Sequence, residues 1–261
     1  MTDETAPVPA HDEEIWTQLR KLTVARIGLA RSGAALKTKP LLDFRLAQAR
    51  ARDAVYATLD EARLVAGLKQ FGLPVISVSS AAPDRKSYLM KPNLGRTLPK
   101  DMEAIFRPYQ GKHYDVAFVV VDGLSARAVQ THAQPLLAEI LTGLRTERLL
   151  IGPLVVVQQG RVAIGDAIAS ALRVDVVVVL IGERPGLSAP DSMGIYLTWQ
   201  SGKLRTDADR NCISNVRPEG LGYVDAGFRL VHALRDIRAR RISGVQLKDD
   251  SDRLLIDDIK N

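Results

Sequence analysis

The chain has 261 residues, 46% of them hydrophobic and 25% charged, the make-up of a soluble globular protein large enough to bury a substantial core. Its net charge of +6 comes from arginines and lysines interspersed with carboxylates, and aromatic residues are only 5%, so the basic runs and stacking rings of a nucleic-acid binder are missing. The lone Cys212 and four scattered histidines offer neither an internal disulfide nor metal-ligand spacing, and no stretch has the length of a membrane span or the pattern of a secretion signal, which points to a reducing cytoplasm.

Residues 1–12 are rich in Pro, Thr and acidic side chains and read as a loose tail. The spacing Ile15, Leu19, Leu22 gives a turn or two of amphipathic helix. Thr23–Arg52 sets seven cations among small residues, with Gly28, Gly33 and Pro40 interrupting any long helix. Such a stretch is either a surface built to be covered or a solvated basic arm, and composition leaves both readings open. From Leu42 to Lys69 apolar residues recur in steps of three and four, predicting one long amphipathic helix that Gly72 stops.

Leu73–Val78 then reads as the first strand of a sheet, and residues 83–100 as a long irregular connection. Asp115–Val121 is the next strand, with Ser125 placed to cap a helix over Ala126–Leu144. A strand at Ile151–Gln158 and a helix at Ala167–Leu172 follow. Val176–Ile181 is aliphatic on both faces, the habit of a strand buried in a parallel sheet. Ile195–Trp199 is more amphipathic and is expected nearer an edge, and Leu221–Arg241 forms the last helix. The alternation of strands and helices predicts an α/β fold: a doubly wound, mostly parallel Rossmann-like sheet with an N-terminal helical arm. The expected division places tail and arm in residues 1–72 and the sheet in residues 73–261.

The chemistry suggested by motifs is sparse. No G-x-G-x-x-G follows the first strand, no phosphate-binding loop of the Walker type is present, and no G-x-S-x-G elbow surrounds a serine. Ser125 and Ser188 read as cap or turn serines. Asp122, Glu183, Asp207 and Asp209 are the carboxylates expected near the strand ends, where open α/β sheets bind their ligands. Residues 175–217, with the charged turn Gly182–Gly186, hold the expected binding loops. No catalytic set emerges, so the residues by themselves describe a ligand-binding subunit.

Four strings, RIGLARSGAALKTKPLLDFRLAQARARDAV, GRVAIGDAI, IGERPGL and DADRNCISNVRPEGL, closely resemble the small subunit of adenosylcobalamin-dependent ethanolamine ammonia-lyase. The resemblance runs from about residue 24 to about residue 245. It implies a lyase of two kinds of subunit that converts ethanolamine to acetaldehyde and ammonia by a radical mechanism. The large subunit would hold the substrate in a barrel, and the small one would cover the corrin of adenosylcobalamin (coenzyme B12). The cofactor contacts implied for this chain are Val162, Glu183 and Cys212, with no catalytic residue and no protein metal ligand. None of the four histidines sits in a D-x-H-x-x-G motif, in keeping with a cofactor that retains its lower base. The resemblance further implies a large-subunit partner, the basic arm facing it, no nucleic acid or membrane partner, and a cytoplasmic setting with a bacterial microcompartment as its housing. A competing reading is a stand-alone Rossmann-like oxidoreductase or transferase that binds a nucleotide, which would require the Gly-rich first turn that Leu73–Pro83 lacks.

Overall fold

A computed structural model describes residues 10–200 and 205–248. The N-terminal segment comprises α1 (Ala10–Lys21), a small hairpin of β1 (Arg31–Ser32) and β2 (Ala35–Leu36), and α2 (Thr38–Tyr56). The body runs α3 (Glu61–Lys69), β3 (Val75–Ser79), α4 (Arg85–Met90), α5 (Lys100–Glu103), β4 (Tyr114–Val121), α6 (Ala126–Gly143), β5 (Leu154–Gln158), α7 (Ile164–Leu172), β6 (Val174–Gly182), β7 (Met193–Trp199), β8 (Arg210–Val216) and α8 (Tyr223–Arg240).

The strands form one six-stranded sheet in the order β3-β5-β4-β6-β7-β8. β3, β5, β4 and β6 are mutually parallel, while β7 runs against both β6 and β8, so five of the six strands point the same way. The continuous aliphatic runs of β4 and β6 explain the layering. Val116, Phe118 and Val120, with Val176, Val178 and Leu180, face a core closed by α3, α6 and α8. The alternate residues Ala117, Val119, Val121, Val177, Val179 and Ile181 face a second core under α7 and Phe106. A strand apolar on both faces is stable only with helices on both sides, which makes the sheet doubly wound, as the sequence predicts. Ser125 caps α6 by accepting the amide of Ala128.

Three points need correction. The helix expected over Leu42–Lys69 is two helices, because the Asp60 carboxylate accepts the Arg63 amide and starts α3 afresh after a break at residues 57–60. Local side-chain capping here overrides an unbroken apolar period. β7 lies next to the edge, as its amphipathic pattern predicts, but the edge itself is β8, a strand that the sequence pattern did not reveal. β8 sends only Ile213 and Val216 of its apolar side chains inward, and a register irregularity opposite Met193–Ile195 breaks the period, so alternation gave little signal. The helix at Ala167–Leu172 starts a turn earlier, at Ile164. Residues 1–9 of the expected loose tail lie outside the described residues, while α1 already begins at Ala10. Among the described residues no helix is long and apolar enough to cross a membrane.

Candidate functional site

The parallel strands end together at Ser80, Asp122, Gln159 and Glu183, and the loops that follow make one rim of the sheet. Asp122 anchors it. Its buried carboxylate accepts the amides of Gln159 at 2.9 Å and Gly160 at 3.2 Å, with the Arg85 guanidinium at 3.9 Å. Burial outweighs these contacts and pushes its pKa up to about 6. Arg85 also donates to the carbonyls of Val55 and Gly123, both at 2.7 Å, tying α2 to the exit of β4. Asp122 is therefore a structural carboxylate of the rim. Asp207 and Asp209 lie in the turn before β8, where Asp209 accepts the Thr206 amide and hydroxyl and shapes the entry to the strand.

Glu183 follows β6 and is half-buried. Its carboxylate accepts the Ser192 hydroxyl at 2.6 Å and the Asn215 amide at 3.2 and 3.3 Å, so one side chain joins the ends of β6, β7 and β8. Cys212 sits on β8 directly opposite Tyr196 of β7, on the face that packs toward α7. The two side chains are cross-strand neighbours on the same face of the sheet. Desolvation raises both groups, and the nearby Glu183 charge raises them further, so phenol and thiol stay protonated at neutral pH. Cys212 is exposed as a residue and also borders a narrow crevice of about 40 Å³ beneath α8.

Val162 lies in the turn between β5 and α7 and lines an open cavity of about 280 Å³ with Arg96, Arg161, Ala163, Tyr196, Asp207 and Arg210. Of the three expected contacts, only Val162 is in the cavity wall itself. Tyr196 links them: it shares the cavity with Val162, pairs across the strands with Cys212 and feels the charge of Glu183. Sequence reasoning missed Tyr196 and the arginines. Tyr196 looks like a core aromatic of an amphipathic strand, and Arg96 stands in an irregular connection, so neither carries a local signal. Arg210 is held by both oxygens of Asp166 at 2.7 and 2.8 Å, a pair 44 residues apart that no spacing rule could reveal. Among the described residues no group of three or more His, Cys, Asp or Glu side chains is arranged to hold a metal ion.

Residues 13–248 match the model of the ethanolamine ammonia-lyase light chain family (EutC). The chain belongs to this family. It is 49% identical to the ethanolamine ammonia-lyase small subunit of Azotobacter vinelandii over 243 residues, which covers 92% of this chain and 90% of the relative. The small subunit of Ralstonia nicotianae is 47% identical over 253 residues, with 95% and 94% covered, and that of Pseudomonas fluorescens 47% over 246 residues, with 93% and 90% covered. A light chain of this family is a component of a lyase whose name implies a larger partner subunit. The paired rim of β6, β7 and β8 with its one-sided cavity is thus the candidate site of such a component.

Proposed function

We propose that this chain serves adenosylcobalamin-dependent ethanolamine ammonia-lyase by covering and binding the corrin, while the large subunit holds ethanolamine for conversion to acetaldehyde and ammonia. The observation that carries the reading is the meeting of Val162, Glu183 and Cys212 around Tyr196 on one rim of the sheet. The residues fit the cofactor chemically. A corrin offers an apolar ring edged with amide side chains, and here an apolar patch of Val162 and Ala163 stands beside arginine donors and the Tyr196 hydroxyl. The Nε of Arg161 is buried without a hydrogen-bond partner among the described residues. A hollow of about 280 Å³ suits one wall of a site shared between two chains.

Bound adenosylcobalamin supplies the radical chemistry, and the protein supplies position and exclusion of water. In this scheme Glu183 accepts from corrin amides while fixing three strand ends. Val162 provides apolar contact, and the neutral Cys212 packs as a small soft group. No residue of this chain acts as acid, base or nucleophile.

The proposed division sets residues 1–72 as tail and arm against the large subunit and residues 73–261 as the corrin-facing part. Within the first part, α3 packs Leu64 and Leu68 into the main core, which leaves α1, the hairpin and α2 as the portion to be covered. The cytoplasm is the proposed location, with a protein-shelled microcompartment as a compatible housing. Co-expression with a candidate large subunit tests the reading: acetaldehyde should form from ethanolamine only with both chains and added adenosylcobalamin. Activity of this chain alone, or tight nucleotide binding by it, overturns the proposal.

A further inference from the structure

The cavity beside Val162 has three cations in its wall, and they are not equivalent. Arg210 is neutralised by Asp166, with Asp207 at 3.5 Å and the Thr198 hydroxyl at 3.2 Å. Arg161 has no carboxylate within ion-pair distance among the described residues. Its guanidinium lies over the Tyr88 ring, 4.2 Å from the centroid, and one terminal nitrogen reaches the Tyr88 carbonyl at 3.3 Å. Its Nε is buried with no hydrogen-bond partner among the described residues. The side chain of Arg96 is exposed and likewise has no carboxylate within ion-pair distance among the described residues.

The backbone places these two together. The Arg161 amide donates to the Gly95 carbonyl at 2.7 Å, and a Cβ on Gly95 would meet the Arg161 side chain and the Tyr88 ring at 2.9 Å, so the connection must come this close through a glycine. A stacked, immobilised guanidinium with unspent donors beside a second unpaired arginine favours an anion with several oxygens over a neutral amide. We infer that Arg161, assisted by Arg96, forms a phosphate subsite that takes the phosphodiester in the nucleotide tail of the cofactor. This deepens the corrin-binding reading and rests on it.

The test compares two corrinoids on the cofactor-free complex of this chain with its large subunit, by equilibrium dialysis or spectral titration. Cyanocobalamin carries the nucleotide tail, whereas dicyanocobinamide has the ring and its amides without the phosphodiester. Arg161→Ala should weaken cyanocobalamin by about 10- to 100-fold, as for loss of charge-assisted bonds, and cobinamide by less than about twofold. Arg161→Lys should fall between, and the wild-type preference for cyanocobalamin should shrink as salt is raised. Arg96→Ala, which removes an exposed side chain, carries the test if Arg161→Ala does not assemble, with a smaller loss of several-fold confined to cyanocobalamin. Equal losses for both corrinoids, or no loss for either, overturn the subsite. If the subsite fails while Glu183→Ala weakens both corrinoids, corrin binding stands without it. A wild-type complex that binds neither corrinoid overturns both.

Discussion

Glu183 shows how one side chain can be both structural and available to a ligand. Its two oxygens take bonds from Ser192 and Asn215, yet a carboxylate has about four acceptor sites and the residue is only half-buried. Glu183→Ala should leave the two subunits assembled and weaken corrinoid binding by about tenfold, read by dialysis. Unchanged affinity would remove Glu183 from the site. Asp122 gives a prediction in pH. Its folded carboxyl titrates near 6 against an ordinary 3.8, so between those values the folded chain keeps a proton that the unfolded chain has released. The associated stability is therefore present below about pH 4 and is lost as pH rises through about 6, on the order of 3 kcal/mol in total. Asp122→Asn should abolish that part of the pH dependence, as measured by urea unfolding across this window.

Among the elements, the contact of β4 with β6 decides how sharply the rim is formed. Where the chain turns out of β4, Gly123 has φ +57°, and a Cβ on Gly182 would come within 2.1 Å of the Ser125 carbonyl oxygen. Neither backbone can retreat, since Leu124 donates to the Gly182 carbonyl at 2.9 Å. Gly182→Ala should destabilise the fold by about 3 kcal/mol, seen as a lower denaturation midpoint, and should displace Glu183 next to it. The same scale explains what was legible beforehand. β4, β5, β6 and α6 were found because continuous aliphatic runs and a serine cap are local signals. β8 and the break before α3 were hidden because a cross-strand partner and a single capping carboxylate decided them.

At the scale of the whole molecule, the N-terminal segment leaves much apolar surface uncovered. Leu22, Val24, Leu42, Leu46 and Tyr56 are exposed beside a series of arginines and lysines, while α3 is buried in the main core. The segment is tied to the body where α2 packs on α6, where Arg85 binds the Val55 carbonyl, and where Arg26 reaches the carbonyl of Leu187 in the loop after Glu183 at 3.4 Å. The surface proposed to meet the large subunit therefore adjoins the rim proposed to face the corrin. Leu42 and Leu46 lie one turn apart on α2, 56% and 51% exposed. Leu42→Asp combined with Leu46→Asp should leave the circular dichroism spectrum unchanged and weaken assembly with the large subunit by at least tenfold in sedimentation or pull-down titrations. Full assembly of that variant would show that the arm is not the docking face.

The sequence by itself determined the doubly wound sheet, because runs such as Val176–Ile181 can be buried only between two layers of helices. Its long strings also identified the family resemblance, and with it Val162, Glu183 and Cys212 as positions to watch. Only the tertiary structure decided that Tyr196 links Val162, Cys212 and Glu183, and that among the described residues Arg161 and Arg96 have no carboxylate partner while Arg210 is neutralised. The reason is physical: strand identity is written in local periodicity, whereas the pairing of a charge depends on partners tens of residues away that only the folded sheet brings within reach.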